Sequence, residues 1–288
     1  MVDVQDSADL PAVIRELESM GEPLITLGGG SNLIVSDEGF AGIVVRYTGR
    51  KVSRTGGLSV AESGCVWQEV VDFHTDANLT GMERMTGIPG WFGGAVYGNA
   101  GAYGQTIMDF VENVKVFDGT AFLDIPNSGC GFVYRSSYFK QRKDWLIVNA
   151  SIRLSSGDPI EIRQTSSEIL STRNEKFPPT MKCAGSIFKN LLVAELPEQA
   201  LNRVPPGIMR AGKVPSAWFL EQIGSKGMKR GGIEVATYHA NLIYNTGSGT
   251  AVEVCELIDE LKARVVAEFG LELEEEVQYI GFKDRLSH

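Results

Sequence analysis

Residues 87–104 read GIPGWFGGAVYGNAGAYG, and this run is the most informative part of the chain. Seven of its eighteen residues are glycine and three are alanine. Glycine raises the entropy cost of both regular structures, so this density predicts a loop rather than an ordinary helix or strand. A backbone without Cβ atoms lets its N–H groups approach a flat, phosphorylated ligand closely. The run therefore predicts a ligand-binding loop that acts mainly through its main chain.

A second glycine-rich turn precedes it, where residues 27–32 read LGGGSN. Leu33 breaks the GxGxxG pattern of Rossmann folds, and neither loop fits the GxxxxGK[ST] pattern of a P-loop. Two such loops in one half of the chain predict a large cofactor held mostly by main-chain groups. For the shorter loop, a simple tight turn within a sheet explains the sequence equally well.

The charge balance narrows the class of ligand. The 288 residues carry a formal net charge of -9, and 43% of them are hydrophobic, which is ordinary for a folded protein. An acidic chain argues against nucleic-acid binding, because a basic surface supplies most of that affinity. A local cluster of Arg or Lys can still hold a small anionic ligand.

The cysteines and histidines predict neither a disulfide framework nor a metal site. The 4 cysteines are widely spaced without a CxxC pair, and the 3 histidines lack metal-ligand spacing. We expect no signal peptide, and no apolar run in the sequence approaches the length that spans a bilayer. We therefore expect a cytoplasmic protein that has no membrane partner.

Hydrophobic periodicity predicts helices and strands in α+β order. The predicted helices are 9–20, 66–77, 160–173, 216–223 and 251–269. The predicted strands are 2–4, 24–27, 42–46, 58–62, 110–117, 145–154, 186–188, 240–244 and 276–280. Thr250 and Glu253 form a capping box at the start of the last helix, and Gly270 stands at its end.

Two domains follow from this order, with Phe177-Pro178-Pro179 as the break after a linker helix. We predict a first domain over residues 1–156 and a second over residues 157–288 that begins with the linker helix. The last strand either stays with the second domain or returns to the first.

Three polar motifs are candidates for chemistry. Arg135 lies among aromatics in YRSSYFK (134–140), which is typical of a surface residue but also suits a clamp on a carboxylate. Ser186 lies in AGSIFKN (184–190) without a GxSxG elbow or a Ser/His/Asp pattern, so a hydrolase nucleophile is not expected. The carboxylates of residues 272–276 are typical of a solvated edge, yet alternation along a strand can turn one inward.

The two glycine loops and the motifs around Arg135, Ser186 and Glu276, taken in their order along the chain, resemble those of the UDP-N-acetylenolpyruvoylglucosamine reductase family. The members of this family are flavoenzymes of bacterial cell-wall precursor synthesis. The resemblance runs from Val2 to Phe282 and also includes His239-Ala240-Asn241 and Glu276-Val277. The short spacing from Arg135 to Ser186 resembles the compact subclass, which lacks an extra tyrosine-bearing loop.

The resemblance implies both a fold and a reaction. The fold is a two-part FAD-binding region of the vanillyl-alcohol oxidase-like type, followed by a C-terminal α+β substrate domain. The reaction is the reduction of UDP-N-acetylglucosamine enolpyruvate to UDP-N-acetylmuramate, with non-covalent FAD and with NADPH as reductant. A monomer or small homo-oligomer is expected.

The resemblance also implies roles for individual residues. Ser186 matches the proton donor, and Arg135 and Glu276 match the other two catalytic positions. Residues that match cofactor-binding positions are Gly28, Gly29, Gly30, Ser31, Asn32, Gly87, Ile88, Pro89, Gly90, Gly93, Gly94, Ala95, Asn99 and Gly101. Residues that match substrate-binding positions are Lys189, Asn190, His239 and Asn241.

The chain departs from the family pattern at three places. It begins inside a predicted strand, so the FAD-binding region is expected to lack its usual N-terminal segment. Residues 191–215 form an insertion, and Gln278 stands where an Arg is common. Two alternatives stay open, namely another FAD-dependent dehydrogenase or oxidase on the same scaffold and a non-catalytic sugar-nucleotide-binding protein.

Overall fold

The computed structural model describes residues 1–283. Their contacts divide them into two compact units. Unit 1 comprises residues 1–30 and 41–175, and unit 2 comprises residues 31–40 and those from 176 onward. By its contacts the linker helix thus belongs almost wholly to unit 1, whereas the predicted domain boundary at 157 assigns it to the second domain.

The helices and strands have the following bounds. The α-helices are α1 (Leu10–Ser19), α2 (Trp67–Asp76), α3 (Phe92–Tyr97), α4 (Pro159–Lys176), α5 (Glu198–Leu201), α6 (Ser216–Gln222) and α7 (Ala251–Phe269). The strands of three or more residues are β1 (Val2–Val4), β2 (Leu24–Thr26), β3 (Leu33–Val35), β4 (Ile43–Tyr47), β5 (Val52–Thr55), β6 (Leu58–Glu62), β7 (Val111–Phe117), β8 (Phe122–Pro126), β9 (Leu146–Arg153), β10 (Lys182–Ser186), β11 (Ile233–Val235), β12 (Leu242–Asn245) and β13 (Gln278–Ile280). No helix within residues 1–283 is both long enough and apolar enough to cross a bilayer.

Each predicted helix and strand overlaps an observed one, with ends shifted by a few residues. The clearest shift is at Ser186, which ends β10 instead of beginning a strand. Strands β3, β5, β8 and β11 and helix α5 were not predicted. These elements are short, and β5 is largely exposed, so they carry little apolar periodicity.

Unit 1 contains two sheets of three or more strands. In the first, β1, β4 and β2 are parallel, and α1 buries Leu10, Ile14 and Leu17 in the core that this sheet shares. The second sheet is antiparallel in the order β8-β7-β9-β6-β5. Its core contains the fully buried side chains of Trp67 and Phe92 from α2 and α3.

The prediction that residues 87–104 hold no ordinary helix is wrong, because Phe92–Tyr97 form α3. The start of this helix packs directly on residues 63–65, where Phe92 N donates to Cys65 O and Gly93 N donates to Ser63 O. A Cβ at Gly93 would lie 2.6 Å from Ser63 Cβ. Tertiary packing therefore decides the structure here and overrides the low helix propensity of glycine.

Unit 2 is built on an antiparallel sheet in the order β10-β12-β11, with Lys229–Arg230 at its edge. Helix α7 contributes Leu257, Ile258 and Leu261 to the core of this unit. The predicted capping box at Thr250 is confirmed, and Gly270 ends α7 in the left-handed conformation. The last strand, β13, pairs in parallel with β3, which also belongs to unit 2.

Candidate active site

The two glycine loops meet inside unit 1. A Cβ at Gly29 would lie 2.9 Å from Trp91 Cδ1 and 3.2 Å from Gly90 Cα, so protein packing itself requires glycine there. At Gly28 the nearest atom to an added Cβ is Gly94 N at 3.9 Å, and at Gly94 nothing lies within 4 Å. Gly29 therefore joins the loops, while Gly28 and Gly94 leave open backbone that a ligand can approach.

Two guanidinium groups lie over the indole ring of Trp91, the residue that Gly29 packs against. Arg46 lies 5.3 Å and Arg50 lies 5.6 Å from the ring centroid. Arg46 also makes two hydrogen bonds to the carboxylate of Asp3 and holds the pKa of that carboxyl below its usual value. Arg50 has no carboxylate partner within residues 1–283, so its charge is available to an anion beside the glycine loops.

Arg135 has a strained backbone and anchors a loop in unit 1. Its φ is +54°, in the left-handed region that residues with a bulky side chain rarely adopt. Its Nη1 donates to Gly101 O at 2.9 Å, and Lys140 Nζ donates to Arg135 O at 2.9 Å. Strain of this kind persists where the surroundings fix it and is frequent at functional sites.

A second guanidinium, Arg173 on α4, belongs to the same region. Burial lowers its pKa, with Tyr103 acting in the opposite direction and the positive charge of Arg135 acting in the same direction. The side chain also packs against the glycine run, because a Cβ at Gly87 would lie 3.1 Å from Arg173 Cδ. Motif reading missed Arg173, which stands in a mostly polar helix without a local signal.

Asn99 joins the glycine run to the Arg135 loop. It is 2% exposed, its Nδ2 donates to Val133 O at 2.9 Å, and its Oδ1 accepts from Met108 N at 3.1 Å. Its amide is therefore bound to the protein backbone on both sides. The cofactor-binding role predicted for Asn99 stays a prediction.

Unit 2 brings Ser186 and Glu276 onto neighbouring segments. Glu276 N donates to Ile187 O at 2.7 Å, directly after Ser186. On its other side, Glu276 O accepts from Asn32 Nδ2 at 2.9 Å. Hydrogen bonds at its main-chain N and O thus fix Glu276 beside the end of β10.

The neighbouring carboxylates have their own partners. Lys189 Nζ donates to Glu274, and Lys189 N donates to Glu274 O at 2.9 Å. Glu275 accepts from Lys262 Nζ at 2.9 Å and from the hydroxyl of Tyr279. These contacts hold the carboxylates of Glu274 and Glu275, the two residues that directly precede Glu276.

The other predicted substrate-binding residues lie nearby in unit 2. Asn190 Oδ1 accepts from Ser216 N at 3.3 Å. Burial, together with the charge of Lys176, lowers the pKa of His239 to about 4, so its imidazole is neutral at physiological pH. Asn241 is 3% exposed, and its amide bonds to Phe188 and Ser216.

The structure thus places Arg135 in unit 1 and both Ser186 and Glu276 in unit 2. The predicted roles of all three stay predictions. No group of three or more His, Cys, Asp or Glu side chains within residues 1–283 is arranged to hold a metal ion.

Comparison with known families defines the class of protein. A model of the FAD binding domain matches residues 1–121, which include both glycine loops. A model described as the C-terminal domain of UDP-N-acetylenolpyruvoylglucosamine reductase matches residues 177–280, which include Ser186 and Glu276. The chain is therefore an FAD-dependent oxidoreductase with an FAD-binding region and a C-terminal α+β domain.

Individual relatives define the family. A UDP-N-acetylenolpyruvoylglucosamine reductase from Solibacter usitatus is 52% identical, over 97% of this chain and 89% of the relative. One from Caldanaerobacter subterraneus is 36% identical, over 96% of this chain and 85% of the relative. The crystal structure of the Thermus caldophilus enzyme matches with a TM-score of 0.75 at 28% identity, covering 97% of this chain and 91% of that one. The chain belongs to the UDP-N-acetylenolpyruvoylglucosamine reductase family.

These findings confirm the family, the α+β fold class and FAD as cofactor.

Proposed function

We propose that this chain reduces the enolpyruvyl ether of UDP-N-acetylglucosamine enolpyruvate to UDP-N-acetylmuramate, with NADPH as reductant, in peptidoglycan precursor synthesis. The observation that carries the proposal is the pairing of the Ser186 and Glu276 segments in unit 2 through the hydrogen bond from Glu276 N to Ile187 O. Family membership supports the same substrate, because the relatives carry that activity in their names.

The residues of the two loops fit a dinucleotide cofactor. The open backbone at Gly28 and Gly94 can approach a phosphate, and the charge of Arg50 lies nearby. In this proposal, FAD is held by residues 28–32 and 87–95, with Asn99 and Gly101 supporting the second loop. When bound, FAD supplies the hydride, while the protein supplies position and electrostatic field.

Arg135 stabilises the charge that develops in the reaction. Addition of a hydride to the terminal carbon of the enol ether spreads negative charge into the conjugated carboxylate. A fixed cation that faces this charge lowers the barrier. The proximity of the buried Arg173 to Arg135 supports the role, because two neighbouring guanidinium groups form a strong anion site.

Ser186 donates the proton that completes the reduction. The hydride and one proton add across the double bond, so the carbon next to the ether oxygen must receive the proton. A free serine hydroxyl is a poor acid and needs a neighbouring group that stabilises its anion. Glu276 assists only when it is protonated or paired with a cation, since a bare carboxylate would oppose the developing charge.

The test compares S186A with S248A, which changes an exposed serine away from the proposed site. We expect S186A to bind FAD and to oxidise NADPH in the first half-reaction, but to turn over the enolpyruvyl substrate about 10²–10⁴-fold more slowly. S248A should match the wild type. Unchanged substrate turnover in S186A would refute the proton-donor role. Rapid reoxidation of the flavin by air, together with no dependence on the sugar nucleotide, would favour another oxidase on this scaffold.

A further inference from the structure

The segment that follows Ser186 is held from two sides. On one side, Ile187 O accepts from Glu276 N at 2.7 Å and Lys189 N donates to Glu274 O at 2.9 Å. On the other side, Ile187 N donates to the backbone of Asn241 at 3.2 Å. Phe188 lies between Ile187 and Lys189, and its main-chain N and O both face the side chain of Asn241.

The side chain of Asn241 makes the two main-chain hydrogen bonds at Phe188 that a neighbouring strand would otherwise make. Its Oδ1 accepts from Phe188 N at 2.9 Å, and its Nδ2 donates to Phe188 O at 2.8 Å. The β10–β12 pairing is irregular between Cys183 and Ser186, so a regular ladder does not reach Phe188. One amide therefore satisfies both groups of a buried residue that the sheet leaves unpaired.

The Asn241 amide has no N–H donor left for a ligand. Its second Nδ2 hydrogen goes to Ser216 Oγ at 2.8 Å, and that hydroxyl in turn donates to Phe188 O at 3.3 Å. Both donors and one acceptor position of the amide are occupied, and the residue is 3% exposed. This arrangement suits a structural clamp on Phe188 better than contact with a substrate.

We infer that Asn241 is a positioning residue, which fixes Ser186 and Glu276 relative to each other through the 187–189 segment. The inference rests on the proposed function and deepens it, because it names what holds the proton donor. Ser216 is the second member of the clamp, since it bonds both to Asn241 and to Phe188 O. Loss of the amide removes the partner of Phe188 N and one of the two partners of Phe188 O, and Ser186 lies two residues away.

The experiment uses the full-length, FAD-loaded enzyme and a matched control at the other end of β12. Asn241 directly precedes β12 and Asn245 ends it. The Asn245 amide likewise makes three hydrogen bonds, all to backbone groups of Gly247 and Gly249, so N245A removes the same number of bonds. We would measure kcat, KM and the solvent deuterium isotope effect for N241A and N245A, and the binding of UDP-N-acetylmuramate to each.

A positioning role predicts a specific pattern. N241A should lower kcat by on the order of 10-fold to 10²-fold, since misplacement of a catalytic group by about 1 Å has an effect of that size. Its KM and its affinity for UDP-N-acetylmuramate should stay near the wild-type values. Its solvent isotope effect should rise, because proton transfer becomes more rate-limiting, and N245A should change none of these.

Other outcomes would overturn the inference. A raised KM with weakened UDP-N-acetylmuramate binding and unchanged kcat would make Asn241 a substrate contact. Equal losses in N241A and N245A would make its effect one of general stability. If N241A does not fold, the milder S216A should show a smaller effect of the same pattern, and a wild-type isotope effect in S216A would count against the clamp.

The S186A variant separates this inference from the proposed function. Slow turnover in S186A combined with normal kcat in N241A would overturn the positioning role alone. Normal turnover in S186A would refute the proton-donor role and, with it, the inference that depends on it.

Discussion

The glycine run and the segment after Ser186 depend on side chains in opposite ways. At residues 87–104 the important property is the absence of side chains, because Gly93 packs against Ser63 and Gly94 leaves open space. At residues 186–189 the important property is one particular side chain, because the Asn241 amide holds both main-chain groups of Phe188. Substitutions in the first region should therefore act by steric exclusion, and those in the second by loss of defined hydrogen bonds or proton chemistry.

Among these substitutions we expect the largest effect from E276Q, which tests whether residues near Ser186 act through side-chain chemistry. In the contacts described above, Glu276 uses its main-chain N and O, which bond to Ile187 O and to the side-chain Nδ2 of Asn32, and the substitution keeps both bonds. We expect kcat to fall by about 10²-fold, as for the loss of a group that takes part in proton transfer, with little change in thermal stability. Steady-state kinetics and a melting curve would check this.

The control for that variant is E272Q, which changes an exposed carboxylate four residues earlier. It should behave as the wild type in both measurements. A melting temperature that falls in E276Q as far as its activity would mean that the carboxyl has a structural role instead.

The second effect concerns pH and His239. Its folded-state pKa of about 4 lies below the ordinary value of 6.5, because burial disfavours the charged ring. Between these two values the unfolded chain binds the extra proton, so the stability contributed by the neutral His239 is present above pH 6.5 and is lost as the pH falls toward 4. The loss should reach about 1–3 kcal/mol.

Denaturant unfolding of the wild type and H239Q at pH 5 and pH 7 would measure this effect. The difference in free energy of unfolding between the two pH values should be smaller in H239Q. Parallel pH dependence in the two proteins would show that His239 is not the linked group.

The third test separates two roles of glycine within the glycine run, namely close packing and open backbone. It places alanine at two adjacent positions of α3. G93A forces a Cβ toward Ser63 and should lower the free energy of unfolding by about 1–3 kcal/mol, as overpacking does. G94A meets no protein atom, so the apoprotein should be as stable as the wild type or slightly more so, but FAD should bind about tenfold more weakly. Denaturant unfolding and flavin fluorescence titration would separate the two.

An equal loss of stability in both alanine variants would contradict the open space at Gly94. Unchanged FAD affinity in G94A would mean that the cofactor does not approach this amide.

The smallest effect is expected at Arg50. Removal of a partly exposed cation near a phosphate should weaken FAD binding by a few-fold and reduce its salt dependence, since exposed charge pairs contribute about 1 kcal/mol or less. Flavin titration of R50A at two salt concentrations would measure this. The matched variant R54A lies on β5, where Arg54 bonds to Gly56 O, and it should leave FAD affinity unchanged.

The sequence predicted the parts of the fold that have a local cause. Helix α7 begins at its capping box and ends at Gly270 because both signals act within a few residues. The helix within the glycine run could not be predicted, since it depends on packing against Ser63, about thirty residues earlier in the chain and directly after β6. Arg173 was missed for the same reason, because only the folded chain brings it beside Gly87 and Arg135.

The candidate site shows a similar division. The motifs identified Ser186 and Glu276, and the fold places their segments side by side. The prediction for Asn241 recognised an important position, but a sequence pattern does not reveal whether an amide faces a ligand or the backbone. That distinction requires the hydrogen bonds, which in this case all go to Phe188 and Ser216.

Residues 31–40 have a consequence for how the protein is made. This short segment supplies β3 as the partner of β13, and Asp37 in it accepts hydrogen bonds from Ala251 N at the start of α7. Asn32 and Glu276, which bond to each other, are 244 residues apart in the chain. On the ribosome, β3 therefore emerges well before β13 and remains an unpaired edge until β13 has been synthesised. A fragment that starts at residue 176 would lack both β3 and the Asp37 carboxylate at the start of α7, so unit 2 cannot be completed from residues 176–283 alone.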